Sequence, residues 1–196
     1  MNDSPPIARP SMPGRRIARG IAGGFVMAIL LLALPAEGQG PGSPDPFERL
    51  AFLIGRWEGT SEGQPGKGTV QREYTRVLNG RFIRAHNRNV YPAQEKNKAG
   101  EIHEDEGFFS FDRTRKRVVL RQFHVEGFVN QYVEDVEPPS GRLVFTTEAI
   151  ENIPAGWRAR ETYVVHGPDE FEEVFELAQP DKPFELYSRA RLTRVK

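Results

Sequence analysis

The 196-residue sequence predicts an all-β protein, a single antiparallel up-and-down barrel of about ten strands behind a short helical turn. Three observations carry that expectation. From Arg56 onward, turn signals recur every eight to twelve residues between runs rich in β-branched and aromatic side chains. No helical pattern follows Ile54, which argues against a parallel α/β sheet. The chain has no cysteine, so a real apolar core must hold the fold, and about 155 residues beyond Gly38 suffice for one such domain.

At the N-terminus, Arg9, Arg15, Arg16 and Arg19 precede "GIAGGFVMAILLLALPA", 17 uncharged residues ending at Ala36. This positive, apolar, small-residue order reads as a signal peptide over residues 1–38, cleaved after Gly38, and implies a periplasmic or secreted protein. An uncleaved anchor is the alternative, since 17 residues lie at the lower edge of a membrane span. The Arg15-Arg16 pair also fits a twin-arginine signal, though weakly. Cleavage would remove four arginines, Asp3 and Glu37 from 27 basic and 27 acidic residues, leaving 23 against 25. That balance gives no basic excess for a nucleic-acid partner, and with the apolar stretch cleaved away no stable membrane span is expected. Residues 39–46, "QGPGSPDP", read as a flexible linker, and residues 47–196 as the barrel domain.

The domain opens with "LAFLIGRWEGTSEG", Leu50–Gly63. Its glycine density is too high for a core helix, so the stretch reads as a helical turn over Phe47–Ile54, stopped by Gly55 and leading into a first strand. Trp57 on that strand is expected to point inward, at the mouth or floor of a hollow. Asn79-Gly80 then marks a hairpin between "TVQREYTRVL" and "RFIRAHNRNVY". Further hairpins turn at "RTRK", "EPPSG" and "HGPD", and "FELYSRARLTRV" closes the chain. Pro92–Asp105, polar and charged, reads as one long connection: a lid, a binding loop or disorder.

Alternation within the strands suggests a lumen that is not a dry core. In "VVLRQFHVEGFVNQY", Leu120, Gln122, His124, Glu126 and Phe128 share one face, and neither face is cleanly polar. In "FELYSRARLTRV", Tyr187, Arg189 and Arg191 fall on the face opposite Leu186, Ser188 and Ala190. Trp57, Gln122, His124, Glu126 and Tyr187 are therefore the candidate ligand-binding residues. The four histidines, 86, 103, 124 and 166, share no metal-ligand spacing, so no metal site is expected. His103 and His166 read as exposed loop or turn residues. His124 and Glu126 would lie about 7 Å apart on one strand face, close enough to share a proton. No recognised enzyme motif is present, so no catalytic residue is assigned.

"GRWEGTSEG" resembles the G-x-W-x-G-x-G signature of nitrobindin-like, calycin-like haem-binding β-barrels, with Gly55, Trp57 and Gly59 matching and Ser61 departing from the third glycine. The resemblance implies a ten-stranded barrel and haem as a possible cofactor. It places the proximal haem ligand in the last strand, where "YSRARL" puts Tyr187 in place of histidine. A phenolate can ligate ferric haem when a cation stabilises it. The expectation is thus an exported barrel holding a small, largely apolar molecule, more a carrier than an enzyme. A ferric haem barrel using Tyr187 or His124, a hydrolase or isomerase using His124 and Glu126, and a purely structural envelope domain with a filled lumen are the alternatives.

Overall fold

The computed structural model describes residues 44–95 and 97–196, so the expected signal peptide and most of the expected linker lie outside the described residues. A 3-10 turn, Glu48–Leu53, leads into ten strands: β1 (Gly55–Gly63), β2 (Gly68–Val77), β3 (Phe82–Tyr91), β4 (Glu101–Asp112), β5 (Arg117–His124), β6 (Val129–Glu134), β7 (Arg142–Glu151), β8 (Arg158–Gly167), β9 (Glu170–Ala178) and β10 (Glu185–Arg194). Each strand pairs antiparallel with its sequence neighbour, and β10 returns to β1, closing the barrel. Closure leaves no unpaired sheet edge.

The opening glycines act at this seam. A side chain at Gly59 would collide with the Arg191 carbonyl of β10, so only glycine lets the first and last strands approach. Gly63 has φ +151° and lies against the Tyr187 backbone, which likewise excludes a β-carbon.

Phe47, Leu50 and Leu53 are buried and, with Trp57, plug one end. The Trp57 indole donates to the Leu53 carbonyl at 2.7 Å, and its ring meets Phe171 edge-on at 4.6 Å. Arg194, the last strand residue, lies over Trp57 at 4.2 Å and donates to the Phe52 and Ile54 carbonyls, both at 2.8 Å. Asp45, in the expected linker, pairs with Arg76 and accepts from the Phe47 amide, so the end of that segment is tied to the barrel.

The apolar core fills the plugged half through Tyr74, Ile83, Phe109, Leu120, Phe145, Tyr163 and Leu192. Outward-facing charges pair across strands, as in Arg84–Glu106 at 2.5 Å, Arg88–Glu104 at 2.9 Å and Arg160–Glu176 at 2.7 Å. Such exposed pairs are worth little individually.

Two expectations need correction. The long connection is shorter than Pro92–Asp105, because β4 begins at Glu101 and carries His103 and Asp105. Over its first five residues the inward Glu101, His103 and Asp105 are polar and the outward Glu104 pairs with Arg88, as Glu106 does next with Arg84, so this part of the strand shows no apolar alternation. The face assignment in β10 also changes. The β9–β10 register shifts between Leu186 and Ser188, and this bulge brings Tyr187 to the same interior as Ser188 and Ala190. Arg189 and Arg191 stay outside, near Glu172 and Glu170.

Candidate functional site

The half of the barrel away from the plug encloses a cavity of about 580 Å³. That volume lies within the range of small-molecule pockets, about 300–1,000 Å³. Tyr91, Phe128, Ile150, Trp157, Phe175 and Leu177 give it a largely apolar wall. Gln122, His124, Glu126 and Tyr187 line it too. Trp57 does not: it lies in the plug beneath Phe171, so its assignment as a ligand contact is corrected to a structural role. The tryptophan stands near the plugged end of β1, and Ser61, at the opposite end, reaches the cavity instead.

Between core and cavity lies a buried polar layer. Arg72 forms a bidentate ion pair with Glu173, with Nη2–Oε2 at 2.8 Å, and donates to Asn89 Oδ1 at 2.7 Å. Tyr74 donates to the same carboxylate at 3.0 Å. Asp105 accepts from Asn87 at 2.8 Å and from Gln122 at 3.3 Å, both through Oδ1. Burial lifts the Asp105 carboxyl to about 6, with Arg72 opposing. Glu161 is buried with no hydrogen-bond partner among the described residues, and burial followed by the Glu173 charge raises its pKa well above the ordinary range. Glu101, Asp105, Glu126, Glu161 and Glu173 line the cavity, against Arg72 as the one arginine or lysine lining it among the described residues. The lining thus holds more acidic groups than basic ones.

Glu161 yields a stability prediction. An acid whose native pKa exceeds its unfolded value keeps a proton that the unfolded chain releases. Its contribution is therefore favourable below the unfolded value near 4.5 and is lost as pH rises toward the native one. Glu161→Gln, which stays neutral, is expected to be more stable than the parent by about 1–3 kcal/mol at pH 8, and by much less at pH 5. Urea titrations at both pH values check this, and a difference independent of pH would refute it.

At the cavity wall, β4 and β5 bring His103 and His124 together. His103 Nδ1 donates to Glu126 Oε1 at 2.7 Å, and its Nε2 lies 3.3 Å from His124 Nδ1. His124 Nε2 lies 3.2 Å from the Asn130 amide nitrogen, and Phe128 stacks on the His124 ring at 4.0 Å. Burial, then the charge of His103, lowers the His124 pKa to about 4, so this imidazole is neutral at pH 7. Glu126 thus partners His103, not His124, and the direct acid–base pair expected along β5 does not form. The chain leaves β5 after His124 and turns, carrying Glu126 across to β4.

His103 is the residue that sequence reasoning missed. It is partly buried and belongs to the site, not to an exposed loop. A spacing search along the chain cannot see a cluster built across a hairpin. Asp105 pairs with His124 in register because the two are equidistant from the turn at Arg113–Lys116, and the same symmetry sets His103 opposite Glu126. Mirroring the sequence about that turn would have found them.

A closed antiparallel up-and-down barrel, plugged at one end and hollow at the other, defines the calycin-like class of barrels that can enclose one small ligand. The family model described as "THAP4-like, heme-binding beta-barrel domain" matches residues 47–194, and the chain belongs to that family. Among solved structures it is similar to Rv2717c from M. tuberculosis, with a TM-score of 0.60 at 15% identity over 79% of this chain and 100% of that one. This likeness shows the fold alone. A redesigned β-barrel (TM-score 0.37, 10% identity, 74% of this chain and 94% of that one) and a de novo designed fluorescence-activating β-barrel (0.36, 14%, 78% and 100%) share too little geometry to carry an argument. No curated protein matches the chain.

Proposed function

We propose that the barrel carries a small, largely apolar molecule whose polar end bears hydrogen-bond donors or a positive charge. One observation carries this reading: an apolar-walled cavity of about 580 Å³ ends on a buried layer where carboxylates outnumber the one arginine and Glu161 has no partner. Glu161 faces the cavity and makes no hydrogen bond to another described residue, so its carboxyl is free to meet a polar group of a ligand. With the leader read as a signal peptide, the carrier acts outside the cytoplasm. Native mass spectrometry of protein purified from its own host tests the reading. A retained organic ligand, released on unfolding, is the expected result; a lumen that neither retains nor takes up apolar probes would overturn it.

Family membership makes haem the natural second reading, but the residues here do not fit a Tyr187-ligated ferric haem. Burial, then the nearby Glu101, Tyr91 and Glu126, raise the Tyr187 pKa further from the phenolate form. Arg189 and Arg191, the cations that could help, lie outside the barrel beside Glu172 and Glu170. Glu101 and Glu126 on the cavity wall would also repel haem's carboxylates. Titration of ferric haem is expected to give weak binding that Tyr187→Phe leaves unchanged. A tight one-to-one complex with a sharp Soret band, lost in Tyr187→Phe, would promote haem to the first reading.

A further inference from the structure

We propose that His103, His124 and Asp105 form a binding site for one divalent first-row transition ion of the zinc class, set in the cavity wall, independent of the organic cargo. One donor atom from each residue lies within 4.8 Å of the others. The two imidazole nitrogens, His103 Nε2 and His124 Nδ1, are 3.3 Å apart. That is long for a hydrogen bond between nitrogens but close to the edge of a tetrahedron around zinc, about 3.3–3.5 Å for metal–ligand bonds of about 2.0–2.1 Å. Asp105 Oδ2 stands 3.8 Å from His103 Nε2 and needs only a small side-chain shift to complete a third vertex. Two imidazoles and a carboxylate suit zinc and its neighbours better than calcium or magnesium, which prefer oxygen ligands alone. The fourth position faces the cavity, open to water or to a ligand.

The surrounding groups hold each donor in place. Glu126 accepts from His103 Nδ1 at 2.7 Å, which leaves Nε2 with its lone pair toward the site, the carboxylate–histidine arrangement common behind bound metals. Asn87 and Gln122 both occupy Asp105 Oδ1 and leave Oδ2 free to bind. Phe128 fixes the plane of His124 by stacking. For His124 to offer Nδ1, its proton must sit on Nε2 and Asn130 must present its oxygen there, a half-turn of the amide. In the present orientation that oxygen is buried without a partner, and after the turn it accepts from His124 and from the Tyr132 hydroxyl. A cation here also offsets the acidic excess of the cavity, where Asp105 otherwise has only Arg72 as a fixed positive neighbour.

The test uses the whole protein, stripped with a chelator and titrated separately with Zn²⁺ by calorimetry and with Co²⁺ by visible absorption. One equivalent of each is expected to bind, with the strong visible bands of a tetrahedral cobalt centre. His103→Asn, His124→Asn and Asp105→Asn should each weaken binding at least about 100-fold, and Glu126→Gln about 10- to 100-fold through the orientation of His103. Histidine ring resonances of the unmodified protein provide a reading that does not depend on the variants folding. Zinc should move those of His103 and His124 and leave those of His86 and His166 in place. Failure to bind either ion, equal binding by the His103→Asn/His124→Asn double variant, or shifts confined to His86 and His166 would each overturn the site. Retention of an organic ligand is measured separately, so the two proposals can fail independently.

Discussion

Replacing Arg72 with methionine is expected to destabilise the barrel by about 3–5 kcal/mol, the usual cost of leaving a buried carboxylate without its partner. Arg72 and Glu173 are 8% and 6% exposed, so water cannot replace the lost guanidinium. Glu173 would keep the Tyr74 hydroxyl, at 3.0 Å, but lose every charged donor. Removing both members of a buried pair is often close to neutral. Here the double variant Arg72→Met/Glu173→Met should recover only part of the loss, because Asp105 also depends on the Arg72 charge. Urea titration of the two variants measures this. A loss below about 1 kcal/mol in the single variant would mean that the layer is hydrated and the ion pair expendable.

Trp57→Ala is expected to cost about 3–5 kcal/mol, since it empties a large site that surrounding groups fill only in part. Three contacts depend on the ring: the hydrogen bond to Leu53, the edge contact with Phe171 and the stacked Arg194. Together they tie the 3-10 turn to the seam where β1 meets β10. Trp57→Phe should keep most of the packing and lose about 1–2 kcal/mol through the unpartnered Leu53 carbonyl. A change below about 1 kcal/mol for the alanine variant would show that the plug is not needed for closure.

Local chemistry made much of the architecture legible. Each hairpin turn is a short polar stretch between two alternating runs, so the strand order follows from the sequence without knowledge of distant contacts. Asn79 and Gly80 lie at φ 58° and 74°, in a turn that Leu78 joins at 51°. The Gly-Trp-Gly opening marked the first strand correctly, and Gly59 serves there a close approach to β10. The start of β4 was not legible. "EIHEDEG" has no apolar alternation because one of its faces supplies polar groups to the cavity and the other carries cross-strand ion pairs. Alternation marks a strand only where its two faces meet different media, and here both are polar.

The sequence by itself determined that the chain is an all-β meander with a tryptophan-anchored first strand, because turn chemistry and period-two patterning act over a few residues. Only the tertiary structure decided what the lumen contains. Closure sets Arg72 against Glu173, 101 residues apart in the chain, and the hairpin at Arg113–Lys116 folds His103 and Asp105 onto His124. A one-residue bulge in β10 turns Tyr187 inward while Arg189 and Arg191 remain outside. Pairing across a barrel depends on register, and a single bulge inverts the face of the residues beside it. No local pattern records that inversion, which is why the residues of the site became a site only when the barrel closed.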